Sequence, residues 1–171
     1  MRGVRGFTII ELVTTLAIAS IIMGLAIYNF IDQIPHRQLR DASLTLVGEL
    51  RLARQKAIAG GEDTTLSFPS ASPKKYRSIL GEQTLPQHVR FGIFDPKIPR
   101  HTNAKNSTIP DNGLVYKADK DGITTISARK DGTIESGTIY LTNEKEAAAI
   151  VVNFTGRINQ LWWDGHAQKW R

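Results

Sequence analysis

Three regimes of hydrophobic patterning divide this chain. From Phe7 to Ile31, 25 residues, the sequence is apolar almost throughout, and Glu11 is the only charge. At about 1.5 Å of rise per residue, a helix of that length covers the roughly 30 Å of hydrocarbon in a bilayer. From His36 to Ala59 the spacing changes. Leu39, Ser43, Leu46, Val47, Leu50, Ala53, Arg54, Ala57 and Ile58 recur at three-and-four intervals, while Arg37, Arg40, Glu49, Arg51 and Lys56 fall on the opposite face. This predicts an amphipathic helix with a solvated basic face, stopped by Gly60-Gly61. Between the two runs, Pro35 disfavours helix at the residue before it and predicts a bend or break.

The third regime is a series of short alternating segments. Thr64–Phe68, Tyr76–Leu80, Val89–Phe94, Leu114–Tyr116, Ile123–Ala128, Thr133–Ile134, Thr138–Thr142, Ala148–Phe154 and Ile158–Trp163 read as strands. Asp121-Gly122, Asp131-Gly132, Gly137, Gly156 and Asp164-Gly165 punctuate them, and Asp-Gly between alternating segments signals a hairpin. Asp95 to Gly113 has almost no periodicity, carries Lys97, Arg100, His101 and Lys105, and reads as one long loop. A long helix followed by antiparallel strands is an α+β arrangement, in which the apolar stripe must pack on a sheet. The predicted divisions are 1–6 as a leader, 7–31 as the membrane-spanning part of the helix, 32–61 as its amphipathic outer half, and 62–171 as a β-rich domain.

Composition narrows the chemistry. The chain has 171 residues, enough for one modest core once the leader and apolar helix are set aside. It contains no cysteine, which excludes disulfides, thiolate metal sites and a cysteine nucleophile. The formal charge of +6 falls to +4 without Arg2 and Arg5, a mild basic bias that permits acidic partners.

The first six residues, with those two arginines, would hold this end on the cytoplasmic side of a membrane and leave the bulk outside. No small-x-small cleavage site follows the apolar core, as a secretory signal would require. Glu11 is the odd feature, because a carboxylate in a membrane helix costs a few kcal/mol unless it is paired. Gly6 followed by Phe7-Thr8-Ile9-Ile10-Glu11-Leu12-Val13 resembles the type III signal of type IV pilins and type II secretion pseudopilins. The resemblance implies cleavage after Gly6 by a prepilin peptidase, N-methylation of Phe7, and pairing of Glu11 with a neighbouring subunit's N-terminus.

Further along, Leu50-Arg51-Leu52-Ala53-Arg54-Gln55-Lys56-Ala57-Ile58 and Thr64-Thr65-Leu66-Ser67-Phe68 are similar to the H-type minor pseudopilin and T-type minor pilin group. So are Lys130-Asp131-Gly132, Gly137-Thr138-Ile139-Tyr140-Leu141, Ile150-Val151-Val152 and Thr155-Gly156-Arg157-Ile158. Unlike many pilins, the apolar run has no mid-membrane proline. The absence of cysteine, present in several pilus-type members, tilts the expectation toward secretion.

Other constellations are sparse. Asp119-Lys120-Asp121-Gly122 has two carboxylates of a calcium loop, but the twelfth position is Lys130 rather than a closing glutamate, so a turn is expected. His36, His88, His101 and His166 are scattered without metal-ligand spacing. No nucleophile elbow, phosphate loop or convergent acid and base points to an enzyme, and no metal or cofactor is expected. Near the C-terminus, Trp162 and Trp163 would point to opposite faces of a strand, so one of them needs a second partner: a sheet edge, the underside of the long loop, or a ligand. Arg157, Lys169 and Arg171 beside these aromatics are candidates for contacting nucleic acid.

The expected function is therefore structural: a minor pseudopilin of a type II secretion pseudopilus, anchored in the inner membrane with its C-terminal domain in the periplasm. The alternative is a minor type IV pilin that primes pilus assembly or takes up DNA. The resemblance implies other minor and major pseudopilins, the prepilin peptidase and an assembly platform protein as partners.

Overall fold

The computed structural model describes residues 7–101, 108–116 and 122–171, with the backbone alone for 25–30 and 32. One helix, α1 (Ile9–Gly60), carries both helical regimes. Among the described residues ten strands follow: β1 (Thr64–Pro69), β2 (Lys75–Ser78), β3 (Gly81–Thr84), β4 (Arg90–Phe91), β5 (Leu114–Val115), β6 (Ile123–Ala128), β7 (Gly137–Thr142), β8 (Ala147–Val152), β9 (Ile158–Asp164) and β10 (Lys169–Trp170). The chain divides into two compact units, Met1–Ile34 and Pro35–Arg171.

In the first unit the described large apolar side chains stand exposed, Phe7 just ahead of the helix at 89% and Ile18 within it at 58%. Among the described residues no helix is long and apolar enough to cross a membrane. The described side chains of the apolar run stop at Gly24 and resume at Ile31. Pro35 lies inside α1 and does not end it, against the sequence expectation. A proline removes one backbone donor and crowds the preceding turn, but does not by itself terminate a helix whose next turn is held by packing. Here Leu39, one turn on, is fully buried.

In the second unit, Leu39, Ala42, Leu46, Leu50, Ala53 and Ala57 form the buried stripe of α1 at steps of three and four. They pack with side chains from two antiparallel sheets. One has the order β3-β2-β1-β6 and the other β10-β9-β8-β7-β4, with β5 also on β7. In the first sheet Leu66 lies opposite Ile126, and both are fully buried in the core with Phe68 and Tyr76. Phe68 stacks on Tyr76 at 5.6 Å and meets Phe91 edge-on at 5.5 Å.

The second sheet is covered on both faces. Ala148, Ile150 and Val152 of β8 join the core containing the helix stripe, while Ala147 and Ala149 join a second cluster with Tyr140, Ile98 and Ile109. Two-sided burial is why β8 reads as a continuous apolar run instead of an alternation. The long loop supplies the second cover, and part of it, residues 102–107 including Lys105, lies outside the described residues. Where β4 and β5 both meet β7, Gly113 has φ +67, and a Cβ there would strike the Gly92 backbone and come within 2.7 Å of the Tyr140 carbonyl. Only glycine fits that crossing.

Five further sequence expectations change. β3 was not anticipated, because Gly81-Glu82-Gln83-Thr84 has no apolar alternation. The Val89–Phe94 strand shrinks to Arg90–Phe91, and Thr133–Ile134 to a single bridge from Ile134 to Ala128. Ile58, expected on the buried stripe, is 49% exposed, whereas Glu49, expected on the solvated face, is only 5% exposed.

Glu49 faces the Tyr76 and Ser78 hydroxyls of β2, while its Oε2 has no hydrogen-bond partner. Burial pushes its carboxyl above the ordinary value of 4.5, against the opposing pull of those two hydroxyls. The folded protein thus holds this proton more tightly than the unfolded chain. Its contribution is present in full below the ordinary glutamate value and is lost as pH rises through the raised value. Glu49→Gln keeps the hydroxyl contacts without a buried charge. It should raise the Tm of the full chain in detergent at pH 7 by about 2–5 °C, or about 1 kcal/mol, and leave it unchanged at pH 4. An unchanged or lower Tm at pH 7 would contradict this account of Glu49.

Candidate assembly site

The start of α1 is built by its own sequence. Thr8 caps the helix: its hydroxyl accepts the Glu11 backbone N–H at 3.3 Å. Glu11 reaches back, and its Oε2 accepts the Thr8 backbone N–H at 3.0 Å and the Thr8 hydroxyl at 2.9 Å. This is a reciprocal capping box in which Thr8-x-x-Glu11 satisfies donors that a helix start leaves open. Both bonds end on one carboxylate oxygen, and a carboxylate can accept at the other as well. Phe7 projects just ahead of the cap, while Gly6 lies outside the described residues.

Beyond the cap, the hydroxyls of the apolar run turn inward. Thr14 donates to the Ile10 carbonyl at 2.8 Å, Thr15 to the Glu11 carbonyl at 2.9 Å and Ser20 to the Ala17 carbonyl at 2.8 Å. A helix that satisfies its own polar groups in this way suits a medium without water.

The C-terminal candidates are placed differently. Trp162 packs against the main core, and Trp163 points the other way into the second cluster, as strand alternation requires. Trp163 and Trp170 lie 5.4 Å apart, Trp170 and Tyr140 5.5 Å apart, and the Trp170 indole N–H donates to the Pro99 carbonyl at 2.8 Å. The second partner of the tryptophan pair is thus the underside of the long loop. Arg171 pairs with Asp164 at 3.0 Å, and Asp164 also accepts the His166 and Ala167 backbone N–H groups in the β9–β10 turn. The Ala167 N–H, followed by Arg171 and His166, holds the Asp164 carboxyl below its usual range. Lys169 sits opposite Asp164 at the far end of β9, whereas Arg157 precedes its start and donates to Asn159 at 3.3 Å. About 20 Å of strand separates them, so the three cations do not form one patch.

The histidines are dispersed as their spacing implies. His36 Nδ1 lies 2.7 Å from Glu146, the His88 N–H donates to Gln38 at 3.3 Å, and His166 is exposed in its turn. His101 lies beside the Tyr140 and Thr138 hydroxyls at 3.5 and 3.4 Å; burial lowers its imidazole and raises the Tyr140 phenol. Among the described residues no group of three or more His, Asp or Glu could hold a metal ion. Asp119, Lys120 and Asp121, the partial calcium loop, lie outside the described residues.

Sequence reasoning underrated Arg54. Its Nε donates to the Gly132 carbonyl at 2.6 Å and its Nη2 to the Thr155 carbonyl at 3.5 Å, tying α1 to two turns. A Cβ at Gly156 would strike the Arg54 guanidinium. The signal was present in the two glycine turns, Asp131-Gly132 and Thr155-Gly156, with one arginine on an otherwise apolar stripe.

A capped apolar helix that continues into the amphipathic spine of a two-sheet domain defines a pilin-like subunit. The model of the prokaryotic N-terminal methylation motif matches residues 1–27, and the model of type II transport protein GspH matches residues 42–156. The chain belongs to the GspH family and is a type IV pilin-like minor pseudopilin of type II secretion. The family is structural, not enzymatic, and its members associate with other pseudopilins. Among solved structures, the chain is similar to the minor pseudopilin EpsH from the type 2 secretion system of Vibrio cholerae. The two are 11% identical, with 73% of this chain and 97% of that one covered and a TM-score of 0.48. No curated protein matches the sequence.

Trp170→Ala tests the buttress under the long loop. Losing the Pro99 bond and two ring contacts should cost about 2–3 kcal/mol. Amide exchange of the full chain should then speed up in residues 93–101 and leave 39–57 unchanged. Unaltered protection of 93–101 would show that the C-terminal strand does not hold the loop.

Proposed function

We propose that the chain is cleaved after Gly6 by a prepilin peptidase, N-methylated at Phe7, held in the inner membrane by residues 7–31, and drawn into a periplasmic pseudopilus. Residues 32–61 then form the outer half of the spine and 62–171 the periplasmic domain. The observation that carries this reading is the Thr8–Glu11 box, which keeps a carboxylate one turn from the end that cleavage would create.

In the lone subunit two bonds from Thr8 satisfy one oxygen of the exposed carboxylate, which eases its stay in lipid and leaves the other oxygen open to a partner. Cleavage gives Phe7 a cationic amine. A neighbour's amine then offers Glu11 an opposite charge, which in a low-dielectric setting is worth more than a neutral hydroxyl. The attraction is greatest at ion-pair contact, so it sets the axial register of one anchor against the next while the apolar helices exchange lipid for each other. Extraction from the membrane requires work that this chain does not supply. An assembly ATPase and a platform protein are the partners implied.

Glu11→Gln separates the two roles of this residue, because glutamine serves equally well at the third position of a capping box but carries no charge. The variant should be processed as the wild type is and keep its helix start, while its incorporation into sheared filaments falls at least ten-fold. Wild-type incorporation of Glu11→Gln would refute charge pairing as the assembly device. A bulky residue in place of Gly6 should leave an unprocessed precursor on immunoblots, and normal maturation of that variant would refute the cleavage site.

A further inference from the structure

We propose that the pole of the domain at the C-terminal end of α1 is a docking surface for a second, different pseudopilin that presents an apolar face ringed by carboxylates. Three segments build this pole: 54–58 at the helix end, the 129–134 turn and the 153–157 turn. Arg54 ties both turns to the helix, and Ile58 lies against Gly132, with its Cδ1 3.2 Å from where a Cβ would stand. The Ile134 N–H donates to the Phe154 carbonyl at 3.1 Å, while Asn153 and Arg157 close the second turn through a 2.9 Å bond.

On this rigid base two large apolar side chains face solvent, Phe154 at 55% and Ile58 at 49% exposure. A tight turn bonded through its backbone gains nothing from displaying a phenylalanine, and large apolar groups left exposed on the same pole mark an interaction surface. The rim is basic on balance. The three segments contain Arg54, Lys56, Arg129, Lys130 and Arg157 against two carboxylates: Asp131, which accepts the Thr133 N–H and hydroxyl at 2.8 and 2.6 Å, and Asp63 just beyond the helix end, which accepts the Lys130 N–H at 2.9 Å.

The charge selects the occupant. A second copy of a chain whose formal charge is +4 once Arg2 and Arg5 are removed is a poor match for a cationic rim, whereas a carboxylate-ringed partner is attracted to it and aligned by it. A nucleic acid fits less well. Arg129 already stands over the Phe154 ring, 6.0 Å from its centroid, where a base would stack, and Ile58 offers no stacking face.

This inference rests on the pseudopilus reading above, and the test separates the two. A photoreactive benzophenone side chain is placed at position 154 of the full-length protein, expressed in its own host, and at Arg77 on the other sheet as control. In parallel, Phe154→Asp and Arg129→Glu, both on the exposed surface, are scored for processing, Tm and recovery in sheared filaments. The expected result is an adduct at 154 that mass spectrometry identifies as another pseudopilin, at least five-fold stronger than at 77. Both variants should be processed and stable, yet at least five-fold depleted from filaments. Wild-type recovery of the two variants, or an adduct with nucleic acid, with a second copy or with a protein other than a pseudopilin, would overturn the docking surface and leave the pseudopilus reading standing. Absence of the wild-type chain from filaments would overturn both.

Discussion

The fold depends on one stripe of α1. Leu39, Ala42, Leu46, Leu50, Ala53 and Ala57 turn the outer half of the helix into the wall against which two sheets close. The small residues at 42, 53 and 57 let strands approach the helix backbone, and the leucines between them fill the space that remains. Complete burial of a leucine contributes about 2 kcal/mol, so the three on this stripe outweigh any polar contact in the domain. The inner half of the same helix has no such wall. Its described apolar side chains stay exposed until some other apolar medium covers them.

That division explains why polar groups on the helix are handled differently along its length. Near the start, Thr8, Glu11, Thr14, Thr15 and Ser20 satisfy one another or the nearest carbonyls within the helix. In the outer half, polar side chains reach across to the sheets. Ser43 accepts a bond from Gln160 of β9, the Thr64 hydroxyl donates to the Ala53 carbonyl, and Arg54 closes two distant turns. Glu49 is the exception, buried against Tyr76 and Ser78 with one oxygen unmatched. The first pattern is required where no outside partner can be counted on, and the second fastens a domain that lacks disulfides.

Much of this was legible in the sequence. The change from a continuous apolar run to three-and-four spacing marked the two halves of α1, and Asp131-Gly132 and Asp164-Gly165 marked real turns. The Trp162-Trp163 pair required two opposite surfaces, and the structure provides the main core and the underside of the long loop. What escaped did so for physical reasons. A polar edge strand such as β3 carries no hydrophobic period, and a two-residue strand such as β10 is too short to carry one. Glu49 sits at the margin of the buried stripe, where its spacing alone fits either face and only the position of β2 decides. Pro35 was overweighted because a local backbone preference yields when the next turn is fixed by packing. At the candidate site, Thr8-x-x-Glu11 is a capping box in plain view. The resemblance accounts for the charge of Glu11 and not for its second role as a helix-starting residue.

In the proposed assembly, the trimmed N-terminus is the hinge between a waiting subunit and an assembled one. Intact mass and N-terminal fragment analysis of the protein recovered from sheared filaments reads this directly. The expected chain begins at methylated Phe7. A filament-borne chain that still begins at Met1 would contradict assembly through the trimmed end.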